Sequence, residues 1–232
     1  ERVPEFFTTQ TSILRRGVLV DIEVPADAEV RFHERWIFVS TRSELRRGED
    51  LFTSGSLLVA DIEGFLAGTT ALSPLFTPTE TASLVGYTCT RTRVVLDVLE
   101  DVHNVLSVAS PPESVDGRWE IRPMTGLPDV WSMSVSALDG AESDDVWLVG
   151  TDFITPETLY VLSLIEEDNP QLLRQAPHRF DAAQVAIEQH FAVSADGTRV
   201  PYFLVGTKEA LAATDGSRPT LLPGYGGLGV PR

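Results

Sequence analysis

Arg218-Pro-Thr-Leu-Leu-Pro-Gly-Tyr-Gly-Gly-Leu-Gly229 is the stretch on which the reading of the whole chain turns. Thr220, Leu221 and Leu222 make a short apolar run, which Pro223 stops. Only Tyr225 and Leu228 interrupt the glycines between Gly224 and Gly229. A buried strand running into a glycine-rich bend suits a binding face, because glycine lets backbone N–H groups approach a ligand closely. A plain tight turn is the competing explanation for a Gly-Gly pair that stands alone.

The residues upstream favour the binding face. Gln189-His-Phe-Ala-Val-Ser-Ala-Asp-Gly-Thr-Arg-Val-Pro-Tyr-Phe-Leu-Val205 reads as two strands around an Asp196-Gly197 turn. A polar loop follows, then the Thr220 run. This order of strand, Asp-Gly turn, V-P-Y-F-L-V, loop, D-G-S-x-P-T-L-L and G-Y-G-G resembles the prolyl oligopeptidase family of serine peptidases, specifically from about Phe180 to Gly229. The resemblance implies that these residues open an α/β-hydrolase domain and that the glycine loop supplies part of an oxyanion hole. It also implies that Tyr225 donates its phenolic O–H to the oxyanion, with Gly226, Gly227 and Leu228 at the substrate. Two positions depart from the family pattern. Leu228 stands where an aromatic residue usually walls the proline pocket, and Pro223 replaces a tyrosine or similar residue. The sequence stops at Arg232, before the nucleophile, acid and histidine of that family would come.

Composition sets outer bounds. A chain of 232 residues, 43% hydrophobic, can bury a sizeable core in one large or two small domains. A net charge of −16 argues against nucleic-acid binding, which needs clustered Lys and Arg. Cys89 is the single cysteine, so no internal disulfide and no cysteine metal cluster can form. No apolar run reaches membrane-spanning length and Glu1-Arg-Val-Pro4 lacks the form of a signal peptide, so a cytoplasmic protein that does not engage membranes is expected.

Residues 1–178 read as almost wholly β. Gly17–Val24, Arg35–Thr41 and Gly55–Ile62 are expected strands, with a polar loop from Arg42 to Thr53. Glu63–Gly68 admits a helical turn, but its glycines favour a loop. Ser73–Pro78 fits an edge strand, being short and bounded by proline. Two sets of four short strands follow, at Ser83–Thr90, Thr92–Leu99, Asn104–Ala109 and Arg118–Arg122, then at Trp131–Leu138, Asp145–Thr151, Thr158–Leu164 and Gln171–Arg174. Their starts lie roughly 48 residues apart, the period of a propeller blade, although a sandwich of short strands explains periodicity equally well. The family resemblance favours the propeller. The expected organisation is therefore a partial β-propeller of about three to four blades over residues 1–178. The first strands of an α/β-hydrolase domain would occupy residues 179–232. Fewer blades than the family's whole propeller make this chain a piece of a larger protein, with the remainder of that protein as its partner.

Other chemistry is sparse. No G-x-S-x-G elbow occurs, so no serine is presented as a nucleophile, and Ser54-Gly-Ser56 reads as a strand-entry turn. His33, His103, His178 and His190 lack a second ligand at metal spacing. Asp144-Asp145 and Glu166-Glu167-Asp168 read as solvated hairpin tips. Trp36, Trp119, Trp131 and Trp147 sit at strand positions, where core packing explains them. No cofactor is called for. The resemblance implies a serine-type oligopeptidase cleaving short peptides after proline through an acyl-enzyme. The alternatives are a related peptidase of different specificity, for example for basic residues, and a non-catalytic propeller acting as an interaction module. Gly227 argues against the basic-specific branch, where serine commonly replaces the second glycine.

Overall fold

Two strands carry the most buried sequence in the chain, Trp36-Ile-Phe-Val-Ser40 and Leu57-Leu-Val-Ala-Asp61. Both are apolar at nearly every position, the pattern of a strand covered on two faces. The protein is seen in a computed structural model that describes residues 2–5, 8–114, 117–166, 169–216 and 218–224. Two compact units emerge. Unit 1 comprises residues 1–99, 105–124 and 139–144, and unit 2 comprises residues 100–104, 125–138 and 145–232.

In unit 1, β1 (Arg2–Glu5) pairs with β2 (Thr8–Gln10), and β3 (Ser12–Arg15) pairs with β4 (Val18–Asp21). Next come β5 (Glu29–His33), β6 (Trp36–Ser40), β7 (Leu45–Arg47), β8 (Asp50–Phe52), β9 (Leu57–Asp61), α1 (Ile62–Ala67) and β10 (Ser73–Phe76). The order β10-β9-β6-β5 makes a four-stranded antiparallel sheet with Ser73–Phe76 at its edge, where a proline is tolerated. A second sheet takes β11 (Ala82–Cys89), β12 (Val94–Glu100), β13 (His103–Ser110) and β14 (Glu120–Pro123) in sequence order.

Alternation along β6 and β9 sends their side chains to opposite faces. Ile37, Val39, Leu58 and Ala60 meet Ile22, Ala28, Leu45, Phe65 and Leu72 on one side. Trp36, Phe38, Leu57 and Val59 meet Leu75, Val94, Leu96 and Ala109 on the other. A two-sheet sandwich would leave the outer face of this sheet in water. Cover on both faces, with strands laid down in sequence order, is how propeller blades stack.

Two expectations for this region fail. The polar stretch 42–53 is not a loop but the β7–β8 hairpin, held by the buried Leu45. Glu63–Gly68 belongs to a helix. The Asp61 carboxylate caps it by accepting from Gly64 N at 3.0 Å, and Gly68 closes it in the left-handed region with φ 71°. Gly64 does not break the helix because its missing Cβ is needed there, where it would collide with the Thr70 side chain. Donation by the Gly64 N–H, aided by the Arg35 guanidinium at 2.7 Å, holds Asp61 below the usual aspartate pKa.

In unit 2, β15 (Ser132–Ala137), β16 (Asp145–Thr151), β17 (Thr158–Ser163) and β18 (Gln171–Gln175) again pair in sequence order. The alternation of β16 buries Val146 and Leu148 on one face. Thr158, fully buried, accepts from Gln175 Nε2 at 2.9 Å across the β17–β18 pair. Then come β19 (Val185–Val193), β20 (Arg199–Thr207) and the short α2 (Lys208–Leu211). No helix among the described residues is long and apolar enough to cross a membrane.

Candidate functional site

The glycine loop follows the best-formed hairpin in unit 2. β19 and β20 pair without a bulge from Val185↔Thr207 to Val193↔Arg199. Their turn is fixed locally. Ser194 N donates to Thr198 O at 2.8 Å, and Asp196 Oδ1 accepts from Thr198 N at 3.0 Å. That backbone donor lowers the Asp196 pKa. The hairpin is anchored by one aromatic residue, Phe203, whose ring meets Trp131 at 4.8 Å and Phe153 at 5.5 Å. Trp131 in turn stands edge-on to His103 at 5.3 Å. Gln189 adds a polar tie, donating from Nε2 to Asp101 O at 2.6 Å.

Past β20, Thr207 caps α2 by accepting from Ala210 N at 3.1 Å, and Arg218 reaches back to Glu209 at 2.8 Å. From Arg218 to Gly224 the chain forms no strand. The expected Thr220–Leu222 strand is therefore a correction: among the described residues the run has no strand beside it, and Leu221 and Leu222 are 89% and 88% exposed. Without partners for its backbone groups, an apolar triplet has no reason to hold strand geometry. Tyr225, Gly226, Gly227 and Leu228 lie outside the described residues.

The remaining candidates resolve into structural roles. His33 Nε2 is 2.8 Å from Thr90 O, His103 Nε2 is 3.2 Å from Val130 O, and His190 pairs with Glu188 at 3.1 Å. Among the described residues no cluster of His, Cys, Asp and Glu is suited to a metal ion. Ser54 Oγ donates to Arg42 O at 2.6 Å, and Ser56 Oγ lies 3.2 Å from Thr53 Oγ1. Neither serine hydroxyl is paired with a general base. Burial pushes the Cys89 thiol up to about 11, so it stays protonated at neutral pH and is a poor nucleophile.

Asp144 departs from expectation. Instead of a solvated tip it is 9% exposed, and its carboxylate collects Thr90 Oγ1 at 2.6 Å, Thr92 N at 2.7 Å and Thr92 Oγ1 at 2.8 Å. It thereby fastens the β15–β16 connection to the β11–β12 turn, which the sequence places more than fifty residues away. Burial alone would raise its pKa, but the Thr90 and Thr92 donors outweigh that and leave it lowered. A carboxylate whose folded pKa is depressed stabilises the protein above its unfolded pKa and loses that contribution as pH falls through the folded value. Asp144→Ala is expected to cost about 1.5–3 kcal/mol at pH 7, since it removes three hydrogen bonds to a charged group and strands the buried Thr90 hydroxyl. The difference from the parent should shrink below about pH 4, as the parent carboxylate is protonated. Urea melts across pH 3–7 would show it, and a pH-independent difference would contradict it.

No protein-family model matches the chain. An uncharacterized peptidase of Sinorhizobium fredii is 33% identical over 183 residues, covering 78% of this chain and 24% of that protein. A prolyl endopeptidase of Elizabethkingia miricola is 34% identical over 80 residues, 34% of this chain and 11% of that enzyme. Among solved structures, a post-proline cleaving enzyme from Rickettsia typhi superposes with a TM-score of 0.71 at 24% identity, over 88% of this chain and 30% of that one. The chain is a relative of the prolyl oligopeptidases.

The fold likeness accounts for the succession of four-stranded sheets, which matches the propeller region of those enzymes. The chain spans about a quarter of the length of the Sinorhizobium peptidase.

Proposed function

We propose that this chain is part of a prolyl oligopeptidase-type serine peptidase that cleaves short peptides after proline through an acyl-enzyme. Residues 1–178 would form about three to four blades of its propeller, and residues 179–232 the first strands of its α/β-hydrolase domain. The observation that carries the reading is the β19–β20 hairpin, with its Asp196-Gly197 turn, leading into Leu221-Leu222-Pro-Gly-Tyr-Gly-Gly227. Kinship with an uncharacterized peptidase over 78% of the chain, and with a prolyl endopeptidase over 34% of it, supports the activity class. In this reading Tyr225 gives its O–H to the oxyanion of the tetrahedral intermediate, and Leu228 supplies an apolar wall where proline binds. The rest of the same protein would provide the nucleophile and its base, and would be the chain's principal partner in the cytoplasm.

The test compares two preparations. The chain alone carries no nucleophile elbow, so it is expected to hydrolyse neither of two matched peptides, one with an internal proline and one with arginine at the same place. The longer protein should cleave the proline peptide at a rate well above the arginine one. Preference for arginine would transfer the proposal to a basic-specific peptidase, and no cleavage of either would leave an interaction module as the better reading.

A further inference from the structure

One cavity in unit 1 has no role in the function proposed above. The β5–β6 turn, the β11–β12 turn and the segment leading into β14 border a half-open space of about 260 Å³, just below the usual size of ligand pockets. Its walls are mostly apolar. Trp36 and Trp119 meet there edge to face, 5.0 Å between ring centroids, with Phe38 and Pro111 beside them. Arg35, Arg91 and Arg93 from the two turns line it together with one acidic residue, Glu34. Asp61 neutralises Arg35, and Asp144 lies near enough to Arg93 to feel its charge, so the positive character of the lining rests on Arg91 and Arg93 against Glu34.

The three guanidinium groups differ. Arg35 is satisfied, paired to Asp61 at 2.7 Å. Arg91 is exposed, and Arg93 is the informative one. Its Nη1 donates to Thr92 O at 3.0 Å and Thr92 Oγ1 at 3.1 Å, which fixes the plane of the group. Its Nε is shielded from solvent and has no hydrogen-bond partner among the described residues. A buried donor left unpaired is costly, and a guanidinium that turned this edge toward the cavity would offer its paired N–H groups to both oxygens of a carboxylate. The turn presenting it is held from beneath, since Asp144 accepts from Thr90 and Thr92 on either side of Arg91.

We propose that this cavity binds a small carboxylate carried on an apolar or aromatic body, as at the C-terminal residue of a short peptide. The carboxylate meets Arg93, with Arg91 adding charge, and the apolar body packs against Trp36, Trp119 and Pro111. Aromatic faces and edges favour a ring or an aliphatic side chain, and a hydrated inorganic anion gains nothing from such walls. A cationic ligand is disfavoured, because Arg91 and Arg93 outnumber Glu34 in the lining once Arg35 is paired to Asp61. A free aromatic acid and a peptide C-terminus share the recognised chemistry, and only the experiment separates them.

The chain has four tryptophans, two of them in the cavity wall, so ligand entry can be followed by tryptophan fluorescence and checked by calorimetry. The probes are 3-phenylpropionate, its amide, N-acetyl-Ala-Phe, the amide of that peptide, and inorganic phosphate. At least one acid should bind at least about tenfold more tightly than its own amide, the loss expected when a charged hydrogen bond is removed. Phosphate should not displace it. Tighter binding of the peptide acid identifies a peptide C-terminus as the ligand, and tighter binding of phenylpropionate identifies a free acid. Arg93→Met keeps the stem but removes the charge, and should bring the acid down to the affinity of the amide without changing the amide. Arg91→Gln, outside the buried network, should weaken the acid by a smaller factor and serves if the first variant unfolds. Equal affinity of acid and amide in the parent chain, or no binding of either acid, overturns the proposal. So does a folded Arg93→Met protein that keeps the acid's full affinity. None of these readouts requires peptidase activity, so failure here leaves the proposed function standing, and the reverse also holds.

Discussion

Changing Tyr225 to phenylalanine, in the longer peptidase of which this chain is proposed to be part, is expected to lower kcat about 100- to 1000-fold. The substitution removes one O–H donor and keeps the ring and its packing. During acyl transfer the carbonyl oxygen of the substrate gains a full negative charge, so a donor placed there acts more strongly on the transition state than on bound substrate. KM should therefore move far less than kcat, and the melting temperature should hardly change. If Tyr225 only fills space among glycines, phenylalanine will serve equally well. Comparable kcat for the two proteins on one short proline-containing peptide, at matched stability, would remove Tyr225 from the chemistry.

The sheets were legible in the sequence wherever a strand is long or covered. Asp145–Thr151 coincides with β16, since its alternation survives directly in the buried Val146 and Leu148. The runs at Trp36 and Leu57 were equally plain, because two-sided burial leaves almost no polar residue in them. What escaped detection was short or at an edge. Glu29-Val-Arg-Phe-His33 is the edge strand β5, with Glu29 and Arg31 paired to each other and Phe32 still partly in water. β7 and β8 have three residues each, too few to show a period.

The candidate site was less legible, for a different reason. Local sequence shows a turn or a glycine loop, whereas a site depends on which turns meet. Asp144 looked like a solvated tip because Asp144-Asp145 is acidic and lies between strands. Its burial comes from Thr90 and Thr92, which only the packing of the β11–β12 turn brings near. Arg91 likewise reads as a plain turn between the expected strands Ser83–Thr90 and Thr92–Leu99 until Trp36, Pro111 and Trp119 are placed around it. The hairpin that precedes the glycine loop in sequence was readable down to its Asp196-Gly197 turn. Its hold on Trp131 and Phe153 through Phe203 was not, because those contacts span 50 or more positions.

The largest loss of stability is expected from Phe38→Ala. Phe38 is fully buried in the apolar cluster between the sheet of β5, β6, β9 and β10 and that of β11 to β14. Its ring stacks on Tyr87 at 5.3 Å and meets the edge of Trp119 at 6.2 Å. Truncation removes the transfer free energy of the ring and leaves a cavity that rigid sheets on either side collapse poorly, at a cost of about 3–5 kcal/mol. Tyr87 makes the site less forgiving, because its hydroxyl is already buried without a hydrogen-bond partner and burial raises its pKa. For a chain of this size the loss corresponds to a fall in Tm of roughly 6–20 °C. Phe38→Leu keeps most of the buried volume and should fall between the parent and the alanine variant. The order parent, leucine, alanine in Tm and urea midpoint, with unchanged m-value, is the signature of a cavity in a shared core. If Phe38→Ala melts with the parent, the two sheets do not depend on that core, and their apposition contributes little to the stability of unit 1.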